Sequence, residues 1–384
     1  MKYNFDKITD RRNTASLKWD IAENELPMWV ADMDFCTAPA VIDAIKKRAE
    51  HGVYGYNIVP EEWNKSIVGW WKKRHGYAIP ADKLIFCTGV VPAISSLVRK
   101  LTTPHEYVVV QTPVYNIFFN SIVNNGRRVL EAPLSYDGES YGIDWDDLEK
   151  KLAEPETTLM ILCNPHNPVG KIWDRETLAR IGSLCKKHHV NVLSDEIHCD
   201  ITEPERGYTP FASASEECAE ISVTCISASK AFNLAGLQSA AVFTENEGLF
   251  NKVNRALNTD EVAEPNTFAV CATVAAFNEG GEWLDELRKY ISDNKKAVKD
   301  FIQANLPKIK VVPSEATYLV WLDCNAYSNA DMLAETIRKS TGLYLCDGAE
   351  YGESGRGFLR MNVACPRKTI ADGLARLKKA LQNL

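Results

Sequence analysis

Five short segments carry apolar residues almost without interruption: 107–110, 158–162, 190–194, 221–227 and 239–243. A strand exposed on one face alternates apolar and polar residues, whereas a strand covered on both faces is apolar throughout. The five runs therefore predict buried strands. Among them lie segments of helical period, at 91–101, 174–188 and 249–257. Asp174, with Thr177 and Leu178 after it, marks a helix start, because a carboxylate there accepts from the free N–H groups of the first turn. A further strand-like run, 84–87, leads through Thr88-Gly89-Val90-Val91-Pro92 into a helix, and Pro92 suits a first helical turn. Strands alternating with helices predict an α/β domain around a mostly parallel sheet.

The rhythm changes near residue 280. Helical segments 281–306, 330–340 and 367–384 surround two strand-like runs, 317–322 and 357–363. This predicts a smaller α+β domain. The irregular, aromatic-rich N-terminal segment is expected to pack with it. The expected division is a large domain over residues 46–280 and a small one made of 1–45 and 281–384.

Composition narrows the class without naming a function. A chain of 384 residues accommodates one large domain plus a smaller one. The hydrophobic fraction of 45% and charged fraction of 25% are ordinary for a globular protein. A formal charge of -7 offers no basic surface for nucleic acid or anionic membrane. No run reaches the roughly 18 apolar residues of a membrane span. The opening Met1-Lys2-Tyr3-Asn4-Phe5 leads into no apolar stretch, so no signal peptide is expected. Eleven cysteines, an odd number without a CxxC pair, fit a reduced, cytoplasmic protein better than a disulfide framework.

Two segments shift attention from fold to chemistry. Ser194-Asp195-Glu196-Ile197-His198 closes one apolar run, and Ser227-Ala228-Ser229-Lys230 closes a later one. A lysine is ordinarily a solvated surface charge. Lys230 instead sits between apolar residues 221–226 and Ala231-Phe232-Asn233-Leu234, where burial lowers the pKa toward a nucleophilic amine. Ser227 and Ser229 are either polar strand-end residues or hydroxyl donors for a phosphate. Asp195 falls at the carboxyl end of a strand, where ligands of open α/β sheets bind; its other reading is a helix cap. Amine, hydroxyls and carboxylate together suit pyridoxal 5′-phosphate. That cofactor needs an amine for a Schiff base, donors for its phosphate and a carboxylate against its pyridine nitrogen. His198 taken alone reads as structural. Ile197-His198-Cys199-Asp200 lacks a second ligand pair at zinc spacing, so no metal is expected.

Other segments fit the same cofactor, each beside a plainer reading. Asn164-Pro165-His166-Asn167-Pro168-Val169-Gly170 is either an ordinary turn or a loop that brings an asparagine to the cofactor's phenolic oxygen. Gly170-Lys171 does not end a nucleotide-phosphate loop, since Ile172 replaces the required hydroxyl residue. The turn through Gly89 and Val90 opens a helix whose N–H groups and dipole favour phosphate. It lacks the glycine spacing of a dinucleotide site. Tyr115 is either a core aromatic or a ring that stacks on the cofactor. Arg360 alternates with apolar neighbours, and its bidentate fork calls for an anion: a substrate carboxylate or an internal salt bridge.

Taken together these segments resemble the fold-type I pyridoxal-phosphate enzymes, the aspartate aminotransferase superfamily, over nearly the whole chain. Residues 27–35, 52–56, 88–92, 164–168 and 194–198 are most similar to the cystathionine β-lyase, or C–S lyase, branch. The resemblance implies a large three-layer domain, a small α+β domain and a homodimer with shared active sites. It implies that Lys230 carries the Schiff base and later shuttles protons, and that Asp195 pairs with the pyridine nitrogen. It places Asn167 and His198 near the phenolic oxygen, Tyr115 on the ring, and Gly89, Val90, Ser227 and Ser229 around the phosphate. Arg360 and Ala31 would contact the substrate, and Tyr56 would reach the site from a second subunit as a catalytic residue. Many aminotransferases of this fold carry an arginine at the position of Gln238, which clamps the phosphate. The departure shifts the expectation from transamination toward β-elimination from a cysteine S-conjugate such as L-cystathionine. Transamination stays as the alternative, and a lyase with an added regulatory, protein-binding role as a second.

Overall fold

The computed structural model describes residues 2–382. Its largest sheet has seven strands, in the order Leu84–Cys87, Ala240–Phe243, Ser222–Ile226, Asn191–Asp195, Thr157–Cys163, Tyr107–Val110 and Arg128–Glu131. Only Ala240–Phe243 pairs antiparallel with its neighbours; the other pairings are parallel. The near-continuous apolar runs arise because alternate residues serve different cores. Val108 and Val110 face one cluster and Val109 another; Leu159 and Ile161 oppose Met160 and Leu162 in the same way. Helices cover both faces, giving the expected α/β layering.

Asp174 caps the helix Arg175–Lys187 as its sequence predicts, accepting from Thr177 N. The expected helix 91–101 is Val90–Leu101, with Gly89 immediately before it. The strand expected over 221–227 is shorter, Ser222–Ile226, because Ile221 ends a short helix that runs directly into it.

Toward the C-terminus an antiparallel four-stranded sheet joins Lys310–Val311, Leu319–Asp323, Phe358–Asn362 and Cys346–Asp347, in that order. Helices Gly281–Asn305, Leu333–Thr341 and Arg367–Leu381 pack with it. Residues 383–384 of the expected last helix, and residue 1, lie outside the described residues. The N-terminal segment joins this region through Leu26–Pro27, which pairs parallel with Leu343–Tyr344. One apolar cluster runs from Phe5 through Trp71 and Phe243 to Leu377 and so ties both regions together. All eleven cysteines are free, and no described helix is long and apolar enough to cross a membrane.

Candidate active site

Strands Leu84–Cys87, Thr157–Cys163, Asn191–Asp195 and Ser222–Ile226 deliver their carboxyl ends to one edge of the large sheet. Register sets Cys163 beside Asp195 and Asp195 beside Cys225. The residues just beyond these ends line a cavity of about 260 Å³. Of the residues singled out from sequence, Gly89, Val90, Tyr115, Asn167, Asp195, His198, Ser227, Ser229, Lys230 and Ala31 all border it. Parallel strands connected by helices explain the convergence: every crossover returns the chain so that loops after the strands meet at the same edge.

Lys230 projects into the cavity from the turn after Ile226. Its Nζ donates to the Ala31 carbonyl at 2.6 Å. That partner is neutral, and no carboxylate accepts from the amine among the described residues. Burial, with Arg360 adding, pulls the amine down to about 8, while Asp32 and Asp195 pull the other way. Asp195 is buried, and its Oδ1 accepts from Ile197 N at 3.1 Å. Burial pushes its carboxyl up to about 6, against the Ile197 N–H and the Lys230 charge. Behind it, Glu196 accepts from Ser194 Oγ at 2.8 Å and Phe211 N at 3.0 Å, and burial raises its carboxyl to about 7.

The cavity is also lined by hydroxyls and backbone N–H groups. Ser227 Oγ donates to Ser239 O at 2.6 Å and lies 2.9 Å from Ser229 Oγ. Thr88, Gly89 and Val90, at the start of helix Val90–Leu101, line it too. The first turn of a helix leaves N–H groups without intrahelical partners, and Pro92 has no N–H to leave. Gln238, rather than an arginine, is also in the lining.

Arg360 is buried on the small-sheet side. It donates through Nη1 to Asn167 Oδ1 at 3.0 Å and through Nη2 to Trp29 O at 2.7 Å. The internal salt bridge of the plainer reading is absent among the described residues: its partners, Cys346 Sγ included, carry no carboxylate. Asn167 itself sits on a loop that needs Gly170, where φ is +76° and a Cβ would lie 2.9 Å from Ala316 O. His198 stands edge-on to Tyr318, ring centroids 6.1 Å apart, and burial holds its imidazole well below the usual pKa. Its Nδ1 is buried without a partner.

Tyr56 does not border this cavity. It is fully exposed, at 103%, in a loop where Val53, Tyr54 and Ile58 are exposed too. Sequence reasoning did not single out Tyr318, Asn233 or Asn362. Tyr318 Oη donates to the Ala31 carbonyl at 2.8 Å, and the two asparagines bind the same N-terminal segment. Their only signal in sequence is position: Asn233 follows the Lys230 turn, and Asn362 shares a strand with Arg360. Below the site His75, Cys199 and Asp200 cluster. Asp200 Oδ1 there already accepts from Trp70 Nε1 at 2.9 Å and lies 3.0 Å from His75 Nε2, which is a hydrogen-bonded network.

The donor set fits pyridoxal 5′-phosphate on its chemistry. Hydroxyls and helix-start N–H groups line the cavity together with an amine bound only to a neutral carbonyl, a carboxylate and an orphaned imidazole nitrogen.

Comparison with known proteins agrees with this geometry. The pattern of the "Aminotransferase class I and II" family matches residues 22–377. Cystathionine β-lyase PatB of Bacillus subtilis is 43% identical, covering 98% of this chain and 100% of its own. Cystalysin from Treponema denticola, a crystal structure containing pyridoxal 5′-phosphate, superposes with a TM-score of 0.96 at 34% identity over 100% of both chains. A PLP-bound putative aminotransferase from Clostridium difficile also reaches 0.96, at 39% identity, covering 98% of this chain and 99% of the other. The chain belongs to the class I and II aminotransferase family, with the fold of pyridoxal-phosphate enzymes, and within it stands with the carbon–sulfur lyases.

Proposed function

We propose that the protein cleaves the Cβ–S bond of L-cystathionine or a related cysteine S-conjugate by β-elimination. The products are a thiol (homocysteine from cystathionine), pyruvate and ammonia. The observation that carries this reading is the half-buried Lys230 amine, which has a neutral carbonyl as its hydrogen-bond partner and shares a cavity with Asp195. Likeness to a relative named cystathionine β-lyase supports the sulfur substrate.

Pyridoxal 5′-phosphate, when bound, links to the substrate amine and takes up the electron pair released at Cα. The chain's own groups do the rest. Lys230 holds the cofactor and, once displaced by the substrate amine, its Nζ removes the Cα proton. A pKa near 8 leaves part of the amine free for this work at neutral pH. Asp195 would pair with the pyridine nitrogen and keep it protonated. Asn167 and His198 would serve the phenolic oxygen, and Tyr115 would pack on the ring. Gly89, Val90, Ser227 and Ser229 would hold the phosphate. Arg360 grips the substrate carboxylate, exchanging Asn167 or Trp29 for it, and Ala31 borders the substrate. The C–S bond then breaks with its electrons leaving on sulfur, and the remaining aminoacrylate hydrolyses in water to pyruvate and ammonia.

The same reading includes a cytoplasmic homodimer in which Tyr56 completes the partner's site. The exposed loop around Tyr56, with Ile58 81% exposed, supports it. It also keeps the division into residues 46–280 and residues 1–45 with 281–384.

Incubation with L-cystathionine and no keto-acid acceptor tests the reaction. Pyruvate released over many turnovers supports the lyase. A single turnover that stalls until a keto acid is added identifies an aminotransferase instead. Cystine, cysteine and S-alkyl cysteines in the same assay rank the leaving groups.

A further inference from the structure

Residues 28–33 belong to no sheet, yet every carbonyl in this strap has a hydrogen-bond partner. Met28 O accepts from Asn362 N at 2.8 Å. Trp29 O accepts from Arg360 Nη2 at 2.7 Å. Val30 O and Asp32 O both accept from Asn362 Nδ2, each at 2.6 Å. Ala31 O, between them, takes Lys230 Nζ at 2.6 Å and Tyr318 Oη at 2.8 Å. Met33 O accepts from Asn233 Nδ2 at 3.0 Å, and Asn233 Oδ1 accepts from Met33 N at 3.0 Å. Arg11 and Lys18 add bonds to Met33 O and Asp32 O, at 3.0 and 3.4 Å, but only two residues, both asparagines, bind the strap through side-chain amides. One follows Lys230 in the same turn and the other lies on the strand that carries Arg360.

Both asparagines are held in one orientation. Asn362 Oδ1 accepts from Ala364 N at 2.7 Å, which directs Nδ2 at the two carbonyls flanking Ala31. Asn233 has φ +57°, a conformation that asparagine tolerates better than most residues, and it also donates to Phe35 O at 3.0 Å. An aspartate at either site would set a carboxylate against carbonyl oxygens.

We propose that Asn233 and Asn362 are positioning residues: by fixing the strap they hold the Ala31 carbonyl as the dock for the free Lys230 amine, and so aim that amine at the substrate's Cα proton. This rests on the proposed β-elimination for the proton's identity, but the dock itself is a property of the protein without cofactor. Release of the strap withdraws an acceptor from the ammonium, whereas the Asp32 carboxylate keeps its own partners, Arg11 Nη2 at 2.6 Å and Lys18 Nζ at 3.6 Å. The other charged groups facing the amine are Asp195 on the large sheet and Arg360 on the small one, with the His198 imidazole beside them. Asp195 and Arg360 stay on their strands.

The test compares wild type with Asn362→Ala and Asn233→Gly, the glycine keeping the left-handed backbone available. Cofactor-free full-length protein is acetylated with acetic anhydride across pH, and modification at Lys230 is read by peptide mass spectrometry. The labelling midpoint falls by roughly half a pH unit or more in the variants, since the lost carbonyl acceptor favours the charged amine. In the cofactor-loaded enzyme kcat falls by roughly tenfold or more while KM changes less, as expected when a reacting group is misplaced. A purely structural role would lower thermal stability and leave the midpoint where it is, and that result in folded variants overturns the proposal. If Asn362→Ala does not fold, Asn233→Gly decides alone by the same criterion. Because the midpoint is read without turnover, an enzyme that proves not to be a lyase leaves this result interpretable.

Discussion

Lys18 is buried, Lys230 is half-buried in its cavity, and both bear on the strap around residues 31–34, yet their surroundings are opposite. Lys18 is 1% exposed, and its Nζ sits 3.1 Å from both carboxylate oxygens of Asp34. Arg11 and Trp19 Nε1 reinforce the same carboxylate at 2.8 and 2.7 Å. Lys230 has only a neutral carbonyl at 2.6 Å. Burial alone therefore does not make a lysine reactive. An ammonium with a carboxylate in contact fastens the chain. A desolvated amine denied such contact gives up its proton more readily and becomes available for covalent chemistry.

The contrast breaks most severely at Lys230 itself. Lys230→Ala should reduce pyruvate release by at least about 10³-fold, since it removes both the cofactor's attachment and the base. The thermal midpoint of the cofactor-free protein at pH 7 should not fall. A folded-state pKa near 8 against 10.5 unfolded means that wild type bears a cost below about pH 8, which fades as pH rises to 10.5. A large drop in that midpoint would make Lys230 as structural as Lys18. Asp195→Asn comes next, with kcat lower by on the order of 10²–10³-fold through loss of a charge fixed in a dry site; steady-state kinetics with saturating cofactor checks it. Lys18→Met should cost about 3 kcal/mol by leaving Asp34 undercompensated, and denaturant unfolding measures this. Activity of the Lys18→Met protein that remains folded should fall far less than in Lys230→Ala. Arg360→Ala should raise KM roughly ten- to a hundredfold, as charged hydrogen bonds to the substrate carboxylate are lost. It should also move the Lys230 labelling midpoint upward, because Arg360 depresses that amine.

The parts of the site read from sequence are those fixed by local pattern. Asp195 and Lys230 each follow an apolar run, so the strand end and the residue after it could be placed without knowing the sheet order. Asp174 announced its helix by a bond three residues long. Elements bound by distant partners were harder to read. The strap 28–33 has no period of its own, and besides Arg11 and Lys18 nearby its partners are Asn362, Tyr318, Arg360, Asn233 and Lys230, far along the chain. Helix Glu61–His75 buries positions 63, 66, 67, 70 and 71, a clear helical stripe. Ser66 within that stripe, and charged residues at both ends, weaken the apolar signal. The antiparallel direction of Ala240–Phe243 was also invisible, because a strand covered on both faces looks the same whichever way it runs.

The strap has a consequence for how the protein is made. Ala31 leaves the ribosome long before Tyr318, Arg360 and Asn362. Translation proceeds at roughly 5–20 residues per second and domains fold as they emerge, so the large sheet can form while the strap still lacks most of its fastenings. The pocket gains its last fastenings only after Asn362 has emerged, and a chain truncated before that residue can keep Lys230 and Asp195 while Val30 O and Asp32 O lack their shared amide donor.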